Sequence, residues 1–174
     1  MITKRDSDVI QFVEKMKIAK TSTLTPFYPS YKVSSRRLST IVKNGELKRD
    51  RDGWSSEYLY YRSRPKQLRH ALILSDFYRE LASCVNVKKF IVEPVLGSIR
   101  PDAVAGYVKG GKEYIALVEV EISHKGFDAE KYEAFNWMNF FPVEPILIVI
   151  SDFKIPEAKF KTIIVRTDFK DFKL

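Results

Sequence analysis

Apolar positions recur at helical spacing through residues 4–19, where Val9, Ile10, Val13, Met16 and Ile18 fall close to one face. Asp6 and Ser7 suit a cap near the start of that helix. A short segment over residues 21–29 follows, with Thr21 or Ser22 as cap, Leu24 and Phe27 as core anchors, and Pro29 ending it. Residues 32–44 predict a third helix, apolar at Val33, Leu38, Ile41 and Val42 and stopped by Asn44-Gly45. The period then changes: Leu47 opens a strand, Asp52-Gly53 marks a hairpin turn, and Tyr58, Tyr60 and Arg62 continue the return strand.

Arg64-Pro65 reads as a boundary. Residues 65–83 predict a helix with Pro65 in its first turn, an apolar face of Leu68, Leu72, Leu74, Phe77 and Leu81, and Glu80 near its end. Residues 88–96 predict a strand broken by Pro94. Residues 99–125 read as a hairpin turned at Gly110-Gly111. Its second strand is apolar nearly throughout, as for a central strand covered on both faces. An amphipathic helix over 127–140 and buried strands over 145–151 and 161–167 follow, with 169–174 as an edge or tail. That order predicts an α/β domain with a mixed sheet.

Composition narrows the class. A hydrophobic fraction of 45% over 174 residues supports a real core in one domain or two small ones. No apolar run reaches the roughly 18 residues of a membrane helix, and the charged N-terminus lacks the apolar core of a signal peptide. Cys84, the single cysteine, excludes an internal disulfide and a cysteine-based zinc site. The expectation is a cytoplasmic protein with no membrane contact.

The net charge of +8 is unevenly spread: residues 1–64 carry 14 Lys+Arg against 7 Asp+Glu, and residues 65–174 carry 16 against 15. Concentrated positive charge suits a polyanion, because neutralised phosphates release condensed counterions. Three helices followed by a hairpin is the order of a winged helix-turn-helix, so residues 1–64 are expected to form a winged-helix DNA-binding domain. Its third helix would enter the major groove, with Lys32, Arg36, Arg37 and Lys43 facing guanine edges or phosphates and Ser34 and Ser35 binding phosphate at the helix start. Lys48, Arg49 and Arg51 would lie at the hairpin tip as the wing. Trp54 and the tyrosines 58, 60 and 61 are expected to pack within the hairpin and not to stack on bases.

The chemistry candidates lie in the second hairpin. Asp102 near the start of one strand and Glu119 near the end of its partner would share one edge of the sheet, with Glu121 two positions on. Two carboxylates with the Val120 carbonyl make a hard oxygen site suited to Mg²⁺ or Mn²⁺. Such a metal lowers the pKa of bound water and stabilises charge on a scissile phosphate. His124 reads as an exposed turn residue and His70 carries no signal. The aromatic residues Phe127, Tyr132, Phe135, Trp137, Phe140 and Phe141 are expected to form core and subunit contact.

At these residues the sequence resembles the PD-(D/E)XK nuclease superfamily over residues 65 to about 150. Pro101-Asp102 matches its PD, Glu119 its second acid, and Glu80 the accessory acid of some members. The resemblance implies a restriction-endonuclease-like α/β domain over residues 65–174, with Asp102 and Glu119 as metal ligands. One departure stands out, since Glu121 occupies the usual place of the catalytic lysine. Some restriction enzymes carry Glu there and still cut, and Lys125 or, preferably, Lys131 from the next helix would take the lysine's part. The whole arrangement, with Lys131-Tyr132 following, looks like the replication-relaxation family, associated with plasmids, phages and conjugative elements.

That resemblance implies a double-stranded DNA-binding protein of a mobile element, acting in replication, relaxation or transfer. Replication or relaxosome proteins are expected as further partners, and a homodimer is the expected oligomer. Two alternatives stay open: an active Mg²⁺-dependent endonuclease, and a transcriptional regulator whose C-terminal domain only dimerises. Whether the protein is an enzyme is left open with them.

Overall fold

The computed structural model describes residues 1–123 and 126–174, which divide into two units, Met1–Arg79 and Glu80–Leu174. The first unit opens with α1, Lys4–Met16. Its cap is Thr3 and not Asp6 or Ser7. The Asp6 N–H donates to Thr3 Oγ1 (3.3 Å) while the Thr3 N–H donates to Asp6 Oδ2 (2.7 Å), a reciprocal capping box with Asp6 inside the first turn. A two-residue strand, β1 (Ala19–Lys20), leads into α2 (Thr21–Leu24) and a 3₁₀ turn over Thr25–Phe27. Neither Thr21 nor Ser22 caps α2. The Thr21 hydroxyl donates to the Tyr58 carbonyl (3.3 Å), and the Ser22 N–H donates to the Glu57 carboxylate (2.8 Å).

Helix α3 spans Tyr31–Lys43, with Ser30 Oγ accepting from the Val33 N–H (3.4 Å). It stops where the sequence says it should. Gly45 adopts φ +77°, its N–H donates to the Val42 carbonyl (2.9 Å), and the Glu46 N–H donates to that of Ile41 (3.2 Å). A left-handed residue closing the last turn in this way favours glycine. Strands β2 (Lys48–Arg51) and β3 (Tyr58–Tyr61) complete an antiparallel sheet of order β1-β3-β2. Lys48, Arg49 and Arg51 therefore lie along a strand and not at the hairpin tip, which is the turn over residues 52–57. Val9, Val13, Ile18, Leu24, Leu38 and Ile41 are wholly buried in this unit.

Helix α4 spans Leu68–Cys84, so Pro65 lies ahead of it and not in its first turn. Leu72 packs with Ile18, Leu59 and Tyr61, and partly buried Leu68 and Ala71 join them. Most of the helix that the sequence assigns to the second domain is thus part of the first unit, whose division falls at Arg79 and Glu80 instead of at residue 64. The physical reason is burial: the β3 side chains Leu59 and Tyr61 reach low exposure with Leu72 beside them.

The second unit is an α/β arrangement built on a mixed five-stranded sheet of order β4-β5-β6-β7-β8. Its strands are β4 (Asn86–Val92), β5 (Ala103–Lys109), β6 (Lys112–Val120), β7 (Ile146–Ile150) and β8 (Thr162–Val165). The first three pair antiparallel, while β6–β7 and β7–β8 are parallel. Strand β4 ends before Pro94, which has no N–H for the ladder. Gly110 and Gly111, at φ +55° and +76°, make the two-residue turn between β5 and β6, a geometry that needs positive φ at both positions. Strand β6 is central, and Leu117 and Val118, on opposite faces, are both fully buried.

The helix expected over 127–140 does not form. Two 3₁₀ turns, Glu130–Tyr132 and Trp137–Asn139, stand in its place. Asn136 interrupts them because its side chain accepts from the Met138 N–H (3.2 Å), a local bond that competes with a helical ladder. The apolar periodicity is spent on packing, since Phe127, Tyr132 and Phe135 join Val104, Leu117, Leu147, Val149 and Phe160 in the core. Phe140 and Met138 remain exposed. Beyond β8, residues 169–174 form turns and no strand. Among the described residues no helix is long and apolar enough to cross a membrane.

Candidate functional site

In the first unit the candidate surface is one face of α3. Lys32, Ser35, Arg36 and Lys43 are exposed, and with Tyr31, Ser39 and Thr40 they line a shallow concavity. Positions 32, 36, 39 and 43 repeat at helical spacing, which sets them on one side of the helix. Among the described residues no carboxylate pairs with Lys32, Arg36 or Lys43. Tyr31, at 67% exposure, and Thr40 complete a surface whose cations alone stand out in the sequence; the same spacing would have found both.

Arg37 and Ser34 turn away from that face. The Arg37 guanidinium pairs with the Asp6 carboxylate, and its Nη2 also donates to the Met1 carbonyl (3.0 Å). Asp6 is wholly buried, and Tyr28 Oη donates to it as well (2.9 Å). Burial pushes the Asp6 carboxyl up, but Arg37, Thr3 and Tyr28 outweigh it and hold the group well below the usual carboxylate range. Arg37 is therefore a fold element and not a groove reader, and fully buried Ser34 is out of reach of a phosphate.

The hairpin is asymmetric in charge. Arg62 pairs with Glu14 and Glu46, and Arg64 pairs with Asp50 (3.0 Å). Lys48, Arg49 and Arg51 on β2 have no carboxylate partner among the described residues. The guanidiniums of Arg49 and Arg51 instead lie 4.3 and 5.2 Å from the Tyr58 ring centroid. Leu59, Tyr60 and Tyr61 are buried, whereas Trp54, expected to pack with them, is 98% exposed. Drawn at the structural division, the first unit holds 17 Lys+Arg against 8 Asp+Glu and the second 13 against 14. The whole positive excess lies in the first.

In the second unit the β5–β6 register pairs Ala103 with Val118, and one further step sets Asp102 opposite Glu119. Both continue the face that Val104 and Leu117 present to the aromatic core. Asp102 is half-buried, and its Oδ2 accepts from the Val120 N–H (2.6 Å). Glu119, at 8% exposure, accepts on Oε1 from Tyr132 Oη and pairs there with the Lys131 ammonium (2.7 Å). Burial and the neighbouring Asp102 raise the Glu119 pKa, and Lys131 and Tyr132 only partly offset them. The Tyr132 hydroxyl, buried and beside that carboxylate, is pushed far above its ordinary value.

Glu121 does not join the pair's hydrogen bonds. Its Oε1 accepts from the N–H (2.7 Å) and hydroxyl (2.6 Å) of Ser123, while its N–H donates to the Ile150 carbonyl (2.9 Å). Glu80 is half-buried in the last turns of α4. His124 and Lys125 lie outside the described residues. The Tyr132 hydroxyl is a site group that sequence reasoning assigned to the core; its adjacency to Lys131 was the available signal.

The chemistry of the pair suits a hard cation. The Asp102 carboxylate raises the Glu119 pKa, and a divalent ion held by the two would relieve that repulsion. Among the described residues there is no group of three or more His, Cys, Asp or Glu side chains that could hold a metal. Compared with protein-family models, curated proteins and solved structures, the chain matches none of them.

Proposed function

We propose that the first unit is a double-stranded DNA-binding module of the winged-helix kind. The observation that carries the reading is the α3 face: Lys32, Arg36 and Lys43 lie exposed, with no carboxylate partner among the described residues, in a unit with 17 cationic against 8 acidic side chains. Such a face meets phosphates by counterion release and base edges by arginine donors. Together with the resemblance of the whole arrangement to the replication-relaxation family of mobile elements, this supports a role in replication, relaxation or transfer of such DNA. Electrophoretic shift of a duplex library against salt tests it. Binding that weakens steeply with salt is expected, and affinity independent of salt would remove the reading.

A second reading, metal-dependent DNA cleavage by the second unit, is favoured by one observation. The Lys131 ammonium sits 2.7 Å from Glu119, which supports the reading that Lys131 takes the part of the lysine whose place Glu121 holds. Asp102 and Glu119 would hold Mg²⁺ or Mn²⁺, which when bound activates water and neutralises phosphate charge. Lys131 opposes the burial that raises the Glu119 pKa and offers a partly exposed cation to a phosphate. Nicking of supercoiled plasmid with Mg²⁺ or Mn²⁺, abolished by Asp102→Ala, is the test. An intact plasmid at protein concentrations that shift DNA leaves binding alone.

A further inference from the structure

We propose that Trp54 is a nucleobase-stacking residue, and that the hairpin tip directs this protein to duplex DNA with an unpaired or unstacked base. The inference rests on reading the first unit as a DNA-binding module, and adds to it a preferred form of DNA. Its basis is the way the tip is built.

Trp54 sits in the turn between β2 and β3 and is 98% exposed, although Leu59, Tyr60 and Tyr61 bury their side chains one strand away. The turn is tied so that the indole stays outside. The Asp52 N–H donates to the Glu57 carbonyl (2.8 Å), and the Ser55 N–H (3.1 Å) and hydroxyl donate to the Asp52 carboxylate. Those Ser55 bonds hold the Asp52 pKa below its ordinary value. At the return end, the Glu57 carboxylate accepts from the N–H (2.8 Å) and hydroxyl (3.2 Å) of Ser22, which fastens the turn to α2. A large aromatic side chain on a turn braced at both ends is presented at little entropic cost on binding.

The surroundings select the partner. Lys48, Arg49 and Arg51 line the strand that leads to the turn without a carboxylate partner among the described residues, and two of them stack on Tyr58. An aromatic platform led to by cations fits a backbone phosphate beside a base, and not an acidic or apolar protein surface alone. In intact B-form DNA the base faces are covered by their neighbours. An indole finds one only where a base is unpaired, or by unstacking a step against the stacking energy of the duplex. Duplex with a bubble is therefore favoured over perfect duplex.

The test uses the full chain with Trp137→Phe, which leaves Trp54 as the single tryptophan. Three probes of equal length are compared: perfect duplex, the same duplex with a short central bubble, and the single strand. The bubble probe is expected to quench Trp54 emission and to bind about tenfold more tightly than perfect duplex. Trp54→Ala should lose that margin while keeping its affinity for perfect duplex and its salt slope, and Trp54→Phe should keep part of it. Equal affinity of Trp54→Ala and the parent for all three probes, with emission unmoved, overturns the stacking role and leaves the DNA-binding module standing. Failure of every probe to bind overturns both. Quenching by an added protein in place of DNA would reassign the tip to protein contact.

Discussion

The Lys131 ammonium lies 2.7 Å from Oε1 of Glu119, joining a 3₁₀ turn to the end of the central strand. Burial and Asp102 hold the Glu119 pKa above its ordinary value, and Lys131 pulls against them. A carboxyl whose folded pKa is raised favours folding below its unfolded pKa and loses that contribution as pH rises through the folded one. Lys131→Met raises the folded pKa further, so its penalty should grow with pH. Urea unfolding should show a cost of about 2 kcal/mol near pH 8, shrinking towards zero near pH 4. An equal cost at both would mean that Lys131 acts by packing alone.

Tyr132 donates its hydroxyl to the same carboxylate from a fully buried position. Tyr132→Phe keeps the ring between Phe127 and Phe160 and removes only the donor. A loss of about 1–2 kcal/mol is expected. In a double-mutant cycle with Glu119→Gln, the coupling should be about 1 kcal/mol. Zero coupling would break the link between the two residues.

Asp6 carries the opposite sign. Its pKa is lowered in the fold, so its contribution is present at neutral pH and fades as pH falls below the ordinary carboxylate value of about 4. Asp6→Asn leaves the Arg37 cation without its anion and should cost about 3 kcal/mol at neutral pH. The variant should also show a weaker acid dependence of stability than the parent. Parallel stability curves across that acid range would contradict the assignment.

Arg36 and Arg37 should separate cleanly. Arg36→Ala is expected to weaken duplex binding and reduce the salt slope by about one counterion, with the melting temperature unchanged. Arg37→Ala is expected to lower the melting temperature, because it strands buried Asp6. A thermally silent Arg37→Ala that loses DNA affinity would return that residue to the groove face.

Much of the local structure was legible in the chain. Asn44-Gly45 stops α3 and Gly110-Gly111 turns the hairpin because few other residues tolerate those backbone angles. The apolar run of β6 marked it as central, and the mixed α/β sheet followed from the order of elements. The juxtaposition of Asp102 with Glu119 could be read because a two-residue turn fixes the register between their strands.

Other features depended on partners remote in sequence. Residues 127–140 have a helix-compatible pattern, but a pattern records only which side chains seek burial, and two short turns around Asn136 bury Tyr132 and Phe135 as well. That Lys131 reaches Glu119 follows from where that segment packs on the sheet.

The sequence by itself determined the elements, their turns and the concentration of positive charge in the N-terminal part, because these rest on local backbone preferences and on counting. Only the tertiary structure decided which charges are available. Neighbours on a helix point about 100° apart, so Arg36 meets water while Arg37 meets an aspartate from another helix. Trp54 stays in water for a similar reason: Asp52, Ser55 and Glu57 fix the turn that carries it, and its hydrophobicity alone does not bring it to the core.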